Sequence, residues 1–410
     1  MTAAGSAVSP PHPATRHATS GLVVLLAGLA ALSTLSTNII LPAFPAIGGS
    51  LGVSTRELGV TLSSFFIAFA LGQLIVGPLS DRYGRRPIVW GGLLIFATGC
   101  IVAAGAENLS VLVVGRVLQA LGVCAASVLS RAIARDLFEG HDLARVLSFT
   151  TIATAAASGF SPLLGTAVDI YFGWRTTFVV VGAVSLLVGI SYYRSVGETL
   201  GPRGRSSISL AAVMRSYGAL LVDMRFLAPA LTVSLIIGGL FSFFAAAPAI
   251  LIDGFGISPF GLSVFFGATV IVVFSGGLLA PWFSRRMGQA KATLLGAVLA
   301  ATGSVLLLAV SGDGHSLNLY TASLTVFLFG MGLANPLGTA LALQPFGRQA
   351  GLASALLGFL QMSCAALATT AGTLMPVPAA VATSIVLTIY AGLAVFVLLF
   401  RPTDSPLTVN

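Results

Sequence analysis

Charge is scarce in this chain. Only 8% of its 410 residues are Asp, Glu, Lys or Arg, where a soluble domain carries roughly 25%. A water-facing surface cannot be built from so few charges, so the two or three soluble domains that the length alone allows are excluded. The mean hydropathy of +1.00 points the same way. Acid is scarcer than base: 12 acidic residues stand against 20 basic ones, a formal net charge of +8. The arginines are scattered between apolar runs, with no basic stripe and no aromatic platform, so no nucleic-acid partner is expected. Cysteine is nearly lacking as well. Cys100, Cys124 and Cys364 each lie inside an apolar run, without CxxC or His-rich spacing, which argues against a disulfide framework and a metal centre. No Ser/His/Asp constellation and no phosphate-binding loop is present, and Gly48-Gly49 and Gly276-Gly277 are helix-associated. An enzyme, a cofactor and an ATP drive are not expected. The first apolar run continues into Pro42 and Pro45 without a short core and a cleavage site, so it reads as a first span and not as a removed signal peptide.

Long apolar runs are what the chain has in abundance. Stretches free of acid and base cover 17–55, 58–80, 87–106, 146–168, 176–193, 226–252, 254–284, 292–312, 314–347 and 349–400. A further apolar segment near 111–134 is interrupted by Arg116 and Arg131. The last run is long enough for two helices, and Met375-Pro376-Val377-Pro378 marks a turn in its middle. With about 20 apolar residues needed per span, this predicts an all-α membrane protein of twelve transmembrane helices. The only plausible linker, 194–225, holds five arginines and divides the chain six plus six. The expected organisation is a tail at 1–20, a first bundle at 21–194, a linker at 195–225, a second bundle at 226–401 and a tail at 402–410.

Loop charge predicts the orientation. With the N-terminus inside, 17 of the 20 basic residues fall on the inner side, Arg131 and Arg135 among them, and only Arg56, Arg116 and Arg175 on the outer half. Both termini are then cytoplasmic, as an even number of spans requires. Six plus six around a linker predicts two related halves with a site between them at the bilayer midplane. A faint repeat supports this: Gly77-Pro78-Leu79-Ser80-Asp81-Arg82-Tyr83-Gly84-Arg85-Arg86 follows the second span, and Ala280-Pro281-Trp282-Phe283-Ser284-Arg285-Arg286-Met287-Gly288 follows the eighth, with Ser284 where the first copy has Asp81.

The segment 77–86 resembles the G-x-L-x-D-R-x-G-R-R signature of the major facilitator superfamily. Arg116-Val117-Leu118-Gln119-Ala120-Leu121-Gly122 is similar to its fourth-span R-x-x-Q-G-x-G pattern, with Ala120 in place of one glycine. Gly159-Phe160-Ser161-Pro162-Leu163-Leu164-Gly165 resembles the fifth-span G-P-x-x-G motif of the family's drug:proton antiporters, and Trp174-Arg175 matches the pair common after that span. Leu41-Pro42-Ala43-Phe44-Pro45 and Gly351-Leu352-Ala353-Ser354-Ala355-Leu356-Leu357-Gly358 resemble segments of the Bcr/CflA branch, which exports bicyclomycin and chloramphenicol. The resemblance covers the chain apart from its tails. It implies a multi-pass protein of the bacterial inner membrane, expected to be a monomer, that exports small molecules by proton antiport.

Several residues follow as candidates. In the segment 77–86, the glycines Gly77 and Gly84 permit a tight turn and close approach, and Asp81 can accept charge-assisted bonds from an arginine or a helix N-terminus. With Arg82, Arg85 and Arg86 these form an expected cytoplasmic gate, closing when the halves meet. A plain topology signal is the competing account. Arg116 carries a charge into the membrane, at roughly 2.5–3.5 kcal/mol on insertion scales, with Gln119 one turn further on the same face. A cavity or coupling role competes with structural pairing and with snorkelling to the near membrane surface. Gly159, Pro162 and Gly165 are expected to bend the fifth span and admit another backbone. Phe241, Phe243 and Phe244, with Phe265 and Phe266, offer an apolar wall for a ligand or simple helix contacts. Asn38, Asn335 and Gln361 are polar at mid-span and expected to face a pathway or another helix.

One departure bears on mechanism. All twelve acidic residues fall in loops, tails, linker or helix ends, and the resemblance places Asn38 where this branch commonly has Asp. A buried carboxylate can take up and release a proton near neutral pH; an asparagine cannot. The same residues predict a positive or neutral central field, suited to neutral or anionic compounds and poorly suited to lipophilic cations. Two other readings stay open: a dedicated metabolite exporter or uniporter of the same fold, and a non-transporting membrane sensor, which would have no need of the 77–86 gate.

Overall fold

The computed structural model describes residues 19–200, 210–312 and 316–400. The N-terminal tail with Arg16, linker residues Arg203 and Arg205, Asp313, His315 and the C-terminal tail from Arg401 lie outside the described residues. Among those described, twelve helices are long and apolar enough to cross a membrane: α1 (Ser20–Leu51), α2 (Gly59–Tyr83), α3 (Arg85–Ala104), α4 (Leu109–Leu137), α5 (Gly140–Phe172), α6 (Trp174–Ser195), α7 (Met224–Gly254), α8 (Pro259–Met287), α9 (Gln289–Val310), α10 (Leu317–Gly347), α11 (Ala350–Leu374) and α12 (Ala379–Leu399).

The helices form two six-membered bundles with the same internal pairing. In the first, α1 packs on α4, α5 and α6, while α2, α3 and α6 complete the set through α2–α4, α3–α4 and α3–α6 contacts. Shifted by six helices, all of these pairs recur in the second bundle. The weak sequence repeat is therefore a repeat of architecture. Both copies turn on a glycine with a positive φ, Gly84 at 102° between α2 and α3 and Gly288 at 83° between α8 and α9, a region where a Cβ is strained. Residues 77–83, which the sequence suggests are loop, continue α2, so the connection is the single residue Gly84. The bundles meet through α2 against α11 and α5 against α8. The membrane face where α1 begins and α12 ends is called the terminal face below, and the opposite one the far face.

Proline shapes α1. Helix Ser20–Asn38 stops, Leu41–Ala43 forms a 3₁₀ turn, and helix Phe44–Leu51 resumes. Pro42 has no N–H to offer the carbonyl of Asn38, and Pro45 none for that of Leu41, so the backbone tightens and the Ala43 N–H donates to the Ile40 oxygen at 3.1 Å. Gly165 of α5 faces this break so closely that a Cβ on it would overlap the Ile39 carbonyl oxygen. Gly159, six residues earlier, has as its nearest neighbours the Val270 side chain, at 3.5 Å, and the Gly267 Cα, at 3.8 Å, on α8.

The linker holds a helix that sequence reading misses. Leu210–Val222 lies outside the spans, and Val213, Tyr217 and Leu220 bury against Phe226, Ala230, Ala342, Ala353, Leu356 and Leu357 of the second bundle. Its Tyr217 hydroxyl donates to the Leu74 carbonyl of α2 at 3.4 Å. Leu74 is four residues before Pro78, whose missing N–H frees that oxygen, so the linker helix satisfies a proline defect in the other bundle. Burial pushes the Tyr217 phenol up to about 12, and it remains a donor throughout the physiological range.

The two α5 glycines make a test. Gly165→Ala forces α5 away from α1, and overpacking of this kind costs about 1–3 kcal/mol or more. A drop of several degrees in the melting temperature of the detergent-purified protein is expected, whereas Gly159→Ala, in ordinary contact only, shifts it by less than about 1 °C.

Candidate functional site

Small residues bring α4 against α3. A Cβ on Gly115 would strike Ala103, and one on Gly122 would strike Phe96. On the other side of α4, Arg116 is fully buried. Its Nη1 donates to the Ser36 carbonyl of α1 at 2.9 Å and to Gln119 Oε1 at 2.8 Å. Gln119 in turn donates through Nε2 to Cys100 Sγ of α3 at 3.0 Å. The guanidinium lies over the Phe65 ring, 4.4 Å from its centroid. It therefore does not snorkel; it is held inside the first bundle. No acidic residue touches it among the described residues, and its Nε and Nη2 are buried without a partner. Asn38, at the break in α1, is buried too, and its Oδ1 is also unpartnered.

Phe65 starts an aromatic seam that crosses between the bundles. It meets Phe66 edge-on at 6.2 Å, and Phe66 meets Phe241 of α7 at 4.9 Å. Phe241 continues to Phe244 at 6.2 Å and Phe244 to Phe266 of α8 at 4.9 Å, with Phe243 and Phe265 6.4 Å apart beside them. Each such pair is worth about 0.5–1.5 kcal/mol beyond its burial. The aromatic candidates thus come together, within contact of Arg116 through Phe65 and Phe66. Asn335 of α10 and Gln361 of α11 are half-buried and make no hydrogen bond to this cluster among the described residues. Between the bundles, the buried Gln73 of α2 occupies the space that a Cβ on Gly358 of α11 would need. Sequence reading did not single out Gln73.

Among the described residues, the hydrogen bonds of the segment 77–86 go to the first bundle or to Glu198 at the start of the linker. Arg85 donates through Nη1 to Asp81 and to Ser80 Oγ, and through Nε to Asp136 of α4 at 3.0 Å. The Glu198 carboxylate, just beyond α6, caps α3 by accepting the backbone N–H groups of Arg85 at 2.9 Å and Arg86 at 3.3 Å. Arg86 lies 4.0 Å over the Tyr193 ring of α6, and Arg82 lies 5.3 Å over Tyr83. A Cβ on Gly77 or Gly351 would meet open space, so α2 and α11, in contact at Gln73 and Gly358, part towards the terminal face.

The far face is closed, and one arginine closes it. Arg56, between α1 and α2, donates to the carbonyls of Gly372 at 2.9 Å, Thr373 at 3.1 Å and Val377 at 2.6 Å, and to that of Met375. These are the orphan acceptors at the C-terminus of α11 and the turn after it, where a cation is favoured. Ser54 holds the preceding turn, its N–H and hydroxyl keeping the Glu57 carboxyl below its ordinary range. Thr166 of α5 and Ser263 of α8 add a hydroxyl pair at 2.7 Å across the other seam. Sequence reading placed Arg56 on the outer side with no role, because its partners lie more than 300 residues away.

Two bundles of paired architecture, a bonded signature segment and a central arginine define a recognisable molecule, and residues 26–369 match the Major Facilitator Superfamily model. The chain belongs to this family. It is 31% identical over 353 residues to an uncharacterized MFS-type transporter, YdgK, of Bacillus subtilis, covering 86% of this chain and 88% of the relative. It is 30% identical over 296 residues to the chloramphenicol resistance protein of Pseudomonas aeruginosa, covering 70% and 69%. Its fold is similar to the crystal structure of a D-xylose-proton symporter, with TM-score 0.72 and 18% identity over 94% of this chain and 97% of the other. This MFS protein is a membrane transporter of the drug-resistance type and not an enzyme, with twelve spans in the bacterial inner membrane.

The Arg56 contacts make a test. Removing them in Arg56→Ala frees the far end of α11. In a variant carrying Ala246→Cys, a residue beside the Arg56 contacts, reaction with a membrane-impermeant maleimide is expected to accelerate by about tenfold, since hydrogen bonds to a charged group stabilise by about 1.5–3 kcal/mol. An unchanged rate removes Arg56 from the far-face closure.

Proposed function

We propose that this transporter exports small amphipathic drugs by alternating access, that its terminal face is cytoplasmic, and that its cargo is neutral or anionic. The observation that carries the reading is the buried Arg116 guanidinium, with no acidic neighbour among the described residues and two nitrogens unpartnered. A buried cation without a counter-charge offers donors to a carbonyl, nitro or carboxylate group and repels a lipophilic cation. Gln119 and Asn38 add neutral hydrogen-bonding groups, and Phe241 and Phe244 an apolar surface. Asn335 and Gln361 are assigned to the pathway wall of the second bundle. The closed far face and the parted ends of α2 and α11 suit a state that loads from the terminal side.

In this account, the segment Gly77, Asp81, Arg82, Gly84, Arg85 and Arg86 is a gate. The Arg85 guanidinium is parked on Asp81 and Asp136 within the first bundle while the terminal side is open, and closure exchanges some of these contacts for partners on α11. Gly159, Pro162 and Gly165 shape the α1–α5–α8 packing that seals the far side. Proton coupling at the α1 break is not part of the account, because Asn38 has no titrating group.

Reconstituted protein and labelled chloramphenicol test this. Wild-type proteoliposomes are expected to show saturable flux that an imposed pH gradient changes by less than about twofold. Asn38→Asp places a titratable acid in the α1 break, and its flux is expected to follow the gradient. Accumulation by the wild type only when a gradient is imposed would show that another group carries protons.

A further inference from the structure

A second membrane-embedded arginine has no role in the site described above. Arg131 sits inside α4, six residues before its end at Leu137, yet it is exposed. It makes no hydrogen bond and no ion pair among the described residues. The helical register gives the direction in which it is exposed. Cys124, seven residues earlier and so nearly aligned with Arg131, packs on Gly72 and Phe69 of α2. Arg116, some four turns away and rotated by less than a quarter turn, points to α1 and α2. Gly115 and Gly122 point the other way, to α3. Val114 and Leu121 form a separate exposed apolar strip. Arg131 is thus on the flank of α4 turned to the gap between the bundles, near the terminal face where α2 and α11 part.

A structural duty for this charge is hard to find. The nearby acids are taken: Asp81 and Asp136 bind Arg85, and Asp136 also accepts from Thr199 at 3.1 Å. Arg135, one turn further and exposed, adds a second positive charge and no relief. Topology needs no arginine this far inside a span, since Arg82, Arg85, Arg86, Arg135 and Arg145 already stand at that side. An uncompensated charge at such depth is a functional feature by default, and the group that compensates it must be an anion arriving from solution or lipid.

We propose that Arg131 is the entry site for an organic anion, holding the carboxylate of an amphipathic monoanion before it reaches Arg116. The proposal rests on the export reading above and deepens it from neutral or anionic cargo to a preference for anions. The two guanidiniums lie on one flank of α4 with no acid in contact among the described residues, so the cargo exchanges one positive partner for another as it moves inward along the helix. The apolar body of the cargo follows to the Phe241 and Phe244 seam.

A matched pair of probes tests it: chloramphenicol and its monoanionic succinate ester, carried by proteoliposomes of wild type, Arg131→Gln and Arg131→Lys. The wild type is expected to carry both, with a higher kcat/KM for the ester. In Arg131→Gln the ester-to-parent ratio of kcat/KM is expected to fall on the order of 10–100-fold, the scale of one charge-assisted hydrogen bond, mainly through KM. Arg131→Lys keeps the charge and should hold the ratio within about threefold of wild type, which also serves if the glutamine variant fails to fold. A wild type that carries the parent but not the ester overturns the proposal and leaves drug export intact. Failure to carry either probe sinks the export reading and the proposal with it. A lipid phosphate on Arg131 gives a different result: phosphatidylglycerol stabilises the wild type but not Arg131→Gln, while the ester-to-parent ratio stays unchanged, and the proposal is overturned.

Discussion

A guanidinium sealed among apolar helices, with no carboxylate beside it among the described residues, is the constraint on which the rest of this molecule turns. Arg116 is held by a backbone carbonyl, an amide and an aromatic face, all neutral groups. Such a site is costly to build, and no helix in the bundle relieves it with an acid. The small residues of α3 and α4 let the two helices pack closely on the opposite side of α4, and the glycine of α5 fits against the break in α1 just after Ser36, whose carbonyl Arg116 uses. In the proposed export function, what the site lacks is supplied by cargo, and the chemistry of the cargo follows from the sign of what is missing.

The two faces of the protein are held by different means. On the far face, Arg56 gathers carbonyls at the end of α11, while hydroxyls and aromatic rings join the remaining seams. On the terminal face, the Arg85 guanidinium is held inside the first bundle by Asp81 and Asp136, Glu198 beyond α6 accepts the backbone N–H groups of Arg85 and Arg86, and among the described residues no hydrogen bond of the segment 77–86 reaches the second bundle. The linker helix adds a tie of a third kind, since Tyr217 donates to a carbonyl that Pro78 leaves free. A proline that would weaken an isolated helix here marks where the linker docks, so the sequence change and its compensation lie in different bundles.

Much of this was legible in the sequence. Twelve spans could be read because apolar runs of this length have no other solution in water or lipid. Arg116 and Gln119 could be paired because three residues make nearly one helical turn, and the glycines after α2 and α8 announced their turns. Other parts could not be read. The partners of Arg56 lie at the other end of the chain, and no local pattern encodes them. The linker helix is short and flanked by Gly, Pro and Ser, so its apolar face passed for loop. Gly77-Pro78 looked like a turn and is helix, because the freed carbonyl is satisfied by Tyr217 from a distance. Arg131 was read inside an apolar segment and counted with the inner-side charges, but the flank of α4 that it occupies depends on packing against other helices, which no local pattern encodes. The aromatic residues could be named but not connected: Phe65 and Phe66 join the cluster only through packing across the bundles.

The central claim is that the buried cluster binds drug through a permanently charged arginine and exchanges no proton in doing so. Calorimetry of chloramphenicol binding to the purified protein, in buffers of different ionisation enthalpy between about pH 6 and 8, counts the protons directly. The account predicts none released or taken up by the wild type and about one by Asn38→Asp. About one proton per drug in the wild type would contradict it.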